Sequence, residues 1–149
     1  MDKRSSVLAA TTIAALAATG VIATTMPGSA APTAGTQEPV RLGAVLVGGN
    51  ELDPADTDGY GLADVTVGRR EVCWKITVKD VRPIAAAHIH AGPRGVAGPV
   101  VVPLEPFRGG CTDVRGRIAR FISEIPSDFY VNVHNADFPA GALRGQLRR

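Results

Sequence analysis

Three histidines are the side chains of this 149-residue chain best placed by type and spacing to do chemistry. His88 and His90 lie in Ala87-His88-Ile89-His90-Ala91-Gly92, and His134 closes Tyr130-Val131-Asn132-Val133-His134. In a strand, side chains two positions apart point the same way, about 6.6 Å apart along the backbone. His88 and His90 therefore share a face, with Ile89 on the other. By the same parity Tyr130, Asn132 and His134 share a face, while Val131 and Val133 turn to the core. If the two strands are neighbours, His134 completes a three-nitrogen set that suits zinc or copper and leaves a coordination position open. The same imidazoles could instead hydrogen-bond to loop backbone and hold the glycine-rich loop 92–98 in place, joined by polar residues such as Arg144. The sequence leaves both readings open.

Cys73 and Cys111 are the two cysteines. An even number in an exported chain is most simply one disulfide, here closing a loop of about 38 residues. Chain entropy puts its stabilisation near 4 kcal/mol. A redox or metal-binding pair would show close Cys-x-x-Cys spacing, which this chain lacks.

Other constellations are weak. Asp56-Thr57-Asp58-Gly59 echoes a calcium loop without its first acidic position or its closing Glu at the right spacing. Gly92-Pro93-Arg94-Gly95-Val96-Ala97-Gly98-Pro99 has glycine at every third place, but three triplets cannot sustain a collagen helix. There is no serine-nucleophile motif, and no glycine loop opens a helix as phosphate binding requires. The chain reads as noncatalytic.

The elements that must position these residues are short. Strands are expected at 41–47, 62–67, 71–81, 86–91, 100–104, 116–121, 129–134 and 142–147, with a helical turn around 122–127 stopped by Pro126. In 71–81, Val72, Trp74, Ile76 and Val78 fall on one face and Lys75, Thr77 and Lys79 on the other, the pattern of a sheet with one wet side. Cys73 shares the lysine face, which places its disulfide over the outside or edge of the sheet. Seven or eight such strands with turns between them predict an all-β fold, an antiparallel sandwich or barrel with one disulfide.

The chain begins with Lys3 and Arg4, an uncharged apolar stretch over 7–23 and the small residues Gly28-Ser29-Ala30. This is the pattern of a secretory signal peptide over 1–30, cleaved after Ala30, and the protein is expected to be secreted or otherwise extracytoplasmic. Residues 31–39 read as a flexible lead-in, and 40–149 as one β-domain with no membrane span in the mature chain. Removing 1–30 leaves 14 basic against 13 acidic side chains. Near-neutral charge argues against a nucleic-acid partner.

Three ordered motifs give the chain its resemblance. They are Gly48-Gly49-Asn50-Glu51, then His88-Ile89-His90-Ala91-Gly92 with Gly98-Pro99-Val100-Val101, then Tyr130-Val131-Asn132-Val133-His134 with Pro139-Ala140-Gly141 and Arg144-Gly145-Gln146-Leu147. Together they resemble the chordin-type (CHRD) domain, found in secreted bacterial proteins and in chordin, and the chain reads as a secreted bacterial member. The family's usual acidic residue before its closing motif is replaced here by Ala142, and Leu143 stands for its Ile. The resemblance implies an immunoglobulin-like sandwich or barrel, and Asn50, Glu51, Gly92, Gly98, Asn132, Arg144 and Gly145 are its motif residues. The His-x-His strand also looks like the opening of a copper/zinc superoxide dismutase, whose two-metal site needs more ligands than three histidines supply. The expected function is a noncatalytic module binding an extracellular or cell-envelope protein or surface. The alternative is a zinc- or copper-binding protein using His88, His90 and His134.

Overall fold

The computed structural model describes residues 38–149. The expected signal peptide and residues 31–37 of the lead-in lie outside the described residues. Eight strands are present: β1 (Val40–Val47), β2 (Tyr60–Val67), β3 (Glu71–Lys79), β4 (Ile84–Ala91), β5 (Val100–Pro103), β6 (Gly109–Asp113), β7 (Phe129–Asn135) and β8 (Leu143–Gln146). One helix, α1 (Gly116–Glu124), lies between β6 and β7. The strands form one antiparallel sheet in the order β5-β4-β7-β8-β1-β2-β3-β6. No helix among the described residues is long and apolar enough to cross a membrane.

Alternation explains why this sheet curls. Leu42, Ala44 and Leu46 of β1, Val65 and Val67 of β2, and Val72, Trp74 and Ile76 of β3 all point inward. From the other half come Ala87 and Ile89 of β4, Val102 of β5 and Val131 and Val133 of β7, and both sets join one buried cluster. Burying each large aliphatic side chain contributes about 1.5–3 kcal/mol, so the two halves close on each other as a sandwich- or barrel-like fold. The halves meet at β8 and β1, where the ladder is sparse: Val47 pairs with Arg144, and an isolated bridge joins Gly43 to Arg148. Gly145 crosses β1 here so closely that an added Cβ would run into the Val45 carbonyl and lie 2.8 Å from Leu46 Cδ2.

The disulfide joins Cys73 of β3 to Cys111 of β6, directly opposite residues in the ladder. Because β6 is an edge strand and Cys111 is exposed, the bond lies at the outside edge of the sheet, as the lysine face of β3 predicts.

Two elements differ from expectation. Residues 116–121 are helix, not strand: Ala119, Ile122 and Ser123 are buried on one side while Arg117, Arg120 and Glu124 stay exposed. That spacing follows a 3.6-residue period, which overrides the short apolar run read as a strand. The expected turn at 122–127 is the end of this helix followed by a 3-10 turn at Pro126–Asp128. Strand β6 was not expected, since Gly109-Gly110 disguised it. Its glycines let the strand pass over Trp74, whose ring atoms would lie 3.2 Å from a Cβ at Gly110.

Gly145→Ala should therefore destabilise the fold by about 1–3 kcal/mol, the usual cost of overpacking. Gly49→Ala, with nothing within 4 Å of the added carbon, should stay within about 0.5 kcal/mol of the parent. Denaturant unfolding of the two variants checks this contrast.

Candidate metal centre

Strands β4, β7 and β8 pair side by side, and their register sets polar side chains in rows across the face turned away from the core. His88 lies opposite Asn132, which lies opposite Arg144. His90 lies opposite Tyr130, which lies opposite Gln146, and Ala86 lies opposite His134. An outward sheet face is ordinarily wet. On β7, however, Tyr130 and Asn132 are as buried as the core valines, because loops cover them.

Side-chain donors hold that cover. Arg144 Nη2 donates to the carbonyls of Pro93 at 3.0 Å and Val96 at 2.9 Å. Gln146 Nε2 donates to Gly92 O and Ser127 O, each at 2.7 Å. Asn50 Nδ2 donates to the Arg144 carbonyl at 3.0 Å, and Arg94 Nη1 donates to Asn50 Oδ1 at 2.8 Å. Gly98 sends its N–H to the Tyr130 hydroxyl at 3.2 Å, and a Cβ there would collide with the Ala91 backbone. The Tyr130 ring is stacked by His90 at 4.8 Å and approached by the Arg144 guanidinium at 3.4 Å from its centroid.

The same roof orients the histidines. A carbonyl oxygen only accepts, so the 2.8 Å contact from His90 Nδ1 to Gly98 O puts the proton on Nδ1. His134 Nδ1 lies 3.0 Å from Pro139 O and carries its proton for the same reason. In the neutral form of each ring, the lone pair then lies on the opposite nitrogen, Nε2. His90 Nε2 is buried and has no hydrogen-bond partner. His134 Nε2 faces His88 Nδ1 at 3.2 Å. One ring nitrogen of each histidine lies within 4.8 Å of the other two.

Two nitrogens bound to one tetrahedral zinc at about 2.0–2.1 Å stand about 3.3–3.4 Å apart. The His88–His134 pair is already at that spacing, and capture of an ion would draw the third ring inward. Burial, followed by the neighbouring His134 and His90, holds His88 below its ordinary value of 6.5. Burial lowers His134 as well, against the Pro139 carbonyl, which favours its charged form. Both rings thus favour the neutral state that a metal needs. A second grouping, Glu71 with Cys73 and Cys111, has its sulfurs committed to the disulfide.

Glu51 packs its carboxylate against Gly141, whose φ of 153° few side chains adopt and where a Cβ would lie 2.5 Å from Oε1. Burial raises its pKa, with Asp53 adding to the effect, while Arg144 and the Asn132 amide pull it down. Sequence reasoning placed Tyr130 on this face but missed its role as the ring that His90 and Arg144 both pack on; the shared parity with Asn132 was the available signal.

The sequence model of the CHRD domain matches residues 42–147. The chain belongs to the CHRD domain family. No curated protein and no solved structure matches it. Of the residues that the resemblance singled out, Asn132, Arg144 and Gly145 lie on β7 and β8, Gly92 and Gly98 in the loop between β4 and β5 that covers them, and Asn50 and Glu51 just after β1.

The histidine shifts make a pH prediction. A histidine with a lowered folded pKa binds its proton more readily in the unfolded chain, so stability is full above about 6.5 and falls as pH drops toward the folded values. Glu51 acts oppositely, since its raised pKa favours the protonated folded state at lower pH. In chelator-treated protein, thermal melts from pH 7.5 to 5.5 should show this loss. A His88→Gln/His134→Gln variant should show a flatter profile, and an unchanged slope would contradict the assignment.

Proposed function

We propose that this CHRD domain is exported and noncatalytic, and that it binds one zinc or copper ion through His88, His90 and His134. The observation that supports it most is the convergence of three ring nitrogens with His90 Nε2 buried and unpartnered. A buried acceptor without a partner costs about 1–3 kcal/mol, and a metal would relieve that cost. Arg144 and Gln146, on the same sheet face, spend their donors on the loop carbonyls that form the roof, which supports a binding rather than a catalytic role. Three neutral imidazoles suit zinc and copper alike.

A second reading, docking to an extracellular or cell-envelope partner, is favoured by the outward face of β1 and β2. There Val45, 46% exposed, lies opposite Leu62, 57% exposed. Retention of the exported protein on envelope fractions, lost in Val45→Ser/Leu62→Ser, would support it; equal retention of parent and variant would not. Export itself rests on the residues 1–30 pattern, with an edge disulfide suited to an oxidising compartment. Amino-terminal sequencing of protein from the medium should begin at Ala31.

Untagged, chelator-treated protein titrated calorimetrically with Zn²⁺ and Cu²⁺ should bind one equivalent at micromolar concentration or tighter, and release it in mild acid. His88→Ala, His90→Ala and His134→Ala should each weaken binding more than tenfold while the circular dichroism spectrum stays folded. Lost stability with no stoichiometric binding in the parent would leave the histidines as supports of the roof.

A further inference from the structure

A second site lies at the other end of β1 from Val47, the residue that pairs with Arg144. There β1 and β2 end together at the Val40–Val67 pair, and the Gly68-Arg69-Arg70 turn meets helix α1. Between them is a cavity of about 350 Å³ lined by Arg69, Arg70 and Arg120, with Glu38 as its one carboxylate. A volume of this order lies in the range of small-ligand sites. Gly116 is part of the lining: a Cβ there would make ordinary contacts, 3.4 Å from Arg69 O and 3.8 Å from Arg70 Cγ, and a larger side chain would compete with an occupant for the space between these residues.

The charges of this lining are poorly compensated. Among the described residues the ion pairs within 4.0 Å are Arg82–Asp137 and Arg120–Glu124. Arg69 and Arg70 have no carboxylate at that distance among the described residues. Arg120 holds its own at 3.7 Å, as an exposed pair one helical turn apart, a weak, solvent-screened contact that a better anion displaces. Arg149 Nη2 donates to the backbone carbonyl of Ser123, another lining residue, at 2.7 Å, which ties down that side of the cavity. In a chain whose mature charge is nearly balanced, several arginines around one hollow make a local positive field. Guanidinium forks match the oxygens of phosphate two at a time.

We infer that this cavity binds a phosphate-bearing anion. The ligand carries more than one negative charge or presents several oxygens, because three guanidinium groups outweigh the single Glu38 carboxylate. Free phosphates and phosphorylated lipid headgroups share this chemistry. The inference is independent of the histidine site.

Pyrophosphate titrated into the purified protein, followed by amide NMR shifts, tests it. Shifts should concentrate at residues 68–70 and 116–123 and weaken with added salt. Arg69→Gln/Arg70→Gln should lose at least tenfold in affinity. Gly116→Leu should lose as much without any change of charge. Arg82→Gln, an exposed arginine paired elsewhere, should bind as the parent does. All three variants alter exposed or half-buried positions, and their circular dichroism spectra report whether the fold is kept. Flotation with vesicles of phosphatidylglycerol against phosphatidylcholine separates the sources: binding to phosphatidylglycerol that Gly116→Leu abolishes identifies a headgroup, and pyrophosphate binding without flotation identifies a free anion. The proposal is overturned if pyrophosphate causes no saturable shifts at millimolar concentration, or if Arg82→Gln weakens binding as much as the cavity variants.

Discussion

Backbone carbonyls that leave water must find donors, and this requirement organises the outer face of β4, β7 and β8. The loop between β4 and β5 and the turn before β8 lie over that face, and their carbonyls cannot be served by strands already paired. Side chains rising from the sheet serve them instead: Arg144 to Pro93 and Val96, Gln146 to Gly92, His90 to Gly98, His134 to Pro139. A buried polar group left without a partner costs about as much as a lost hydrogen bond. The burial of β7 on both faces, the absence of a side chain at Gly98 and the choice of donors on the strands are consequences of one roof.

Charge makes that arrangement exacting. Arg144 is only 2% exposed, yet no carboxylate among the described residues lies within 4.0 Å of it; its guanidinium rests on two carbonyls and the face of Tyr130. Carbonyl dipoles and an aromatic quadrupole replace water around the cation. Glu51 supplies the nearby opposite charge at a cost, since burial pushes its carboxyl toward the neutral form while Arg144 pulls it back. Removing one member of such a network leaves the others buried and unpaired, which is why buried polar clusters respond so strongly to single changes.

Much of this was legible in the sequence where the signal is local. Strict alternation in Val72, Trp74 and Ile76 gave β3 its inward face, and parity put His88 with His90 and Tyr130 with Asn132 before any neighbour was known. Two cysteines in one chain pointed to the observed bond. Where two periods compete over few residues, the reading failed: residues 116–121 carry too short an apolar run to separate strand from helix, and only packing of Ala119 and Ile122 decides it. Strand β6 begins with two glycines, and what holds it is its pairing with β3, which no local pattern announces. The roof was hidden for the same reason. The contact from Asn50 to Arg144 spans 94 positions and that from Gln146 to Gly92 spans 54.

The central claim is that loop carbonyls fix the protons of His90 and His134 on Nδ1 and so aim bare Nε2 nitrogens inward, ready for an ion. Long-range ¹H–¹⁵N NMR of the metal-free protein at neutral pH reads this directly. The account predicts that His90 and His134 are each a single Nδ1–H tautomer, and that both Nε2 resonances move on addition of one equivalent of Zn²⁺. Protonated Nε2 in either ring, or tautomers averaging as they do in a free imidazole, would contradict it.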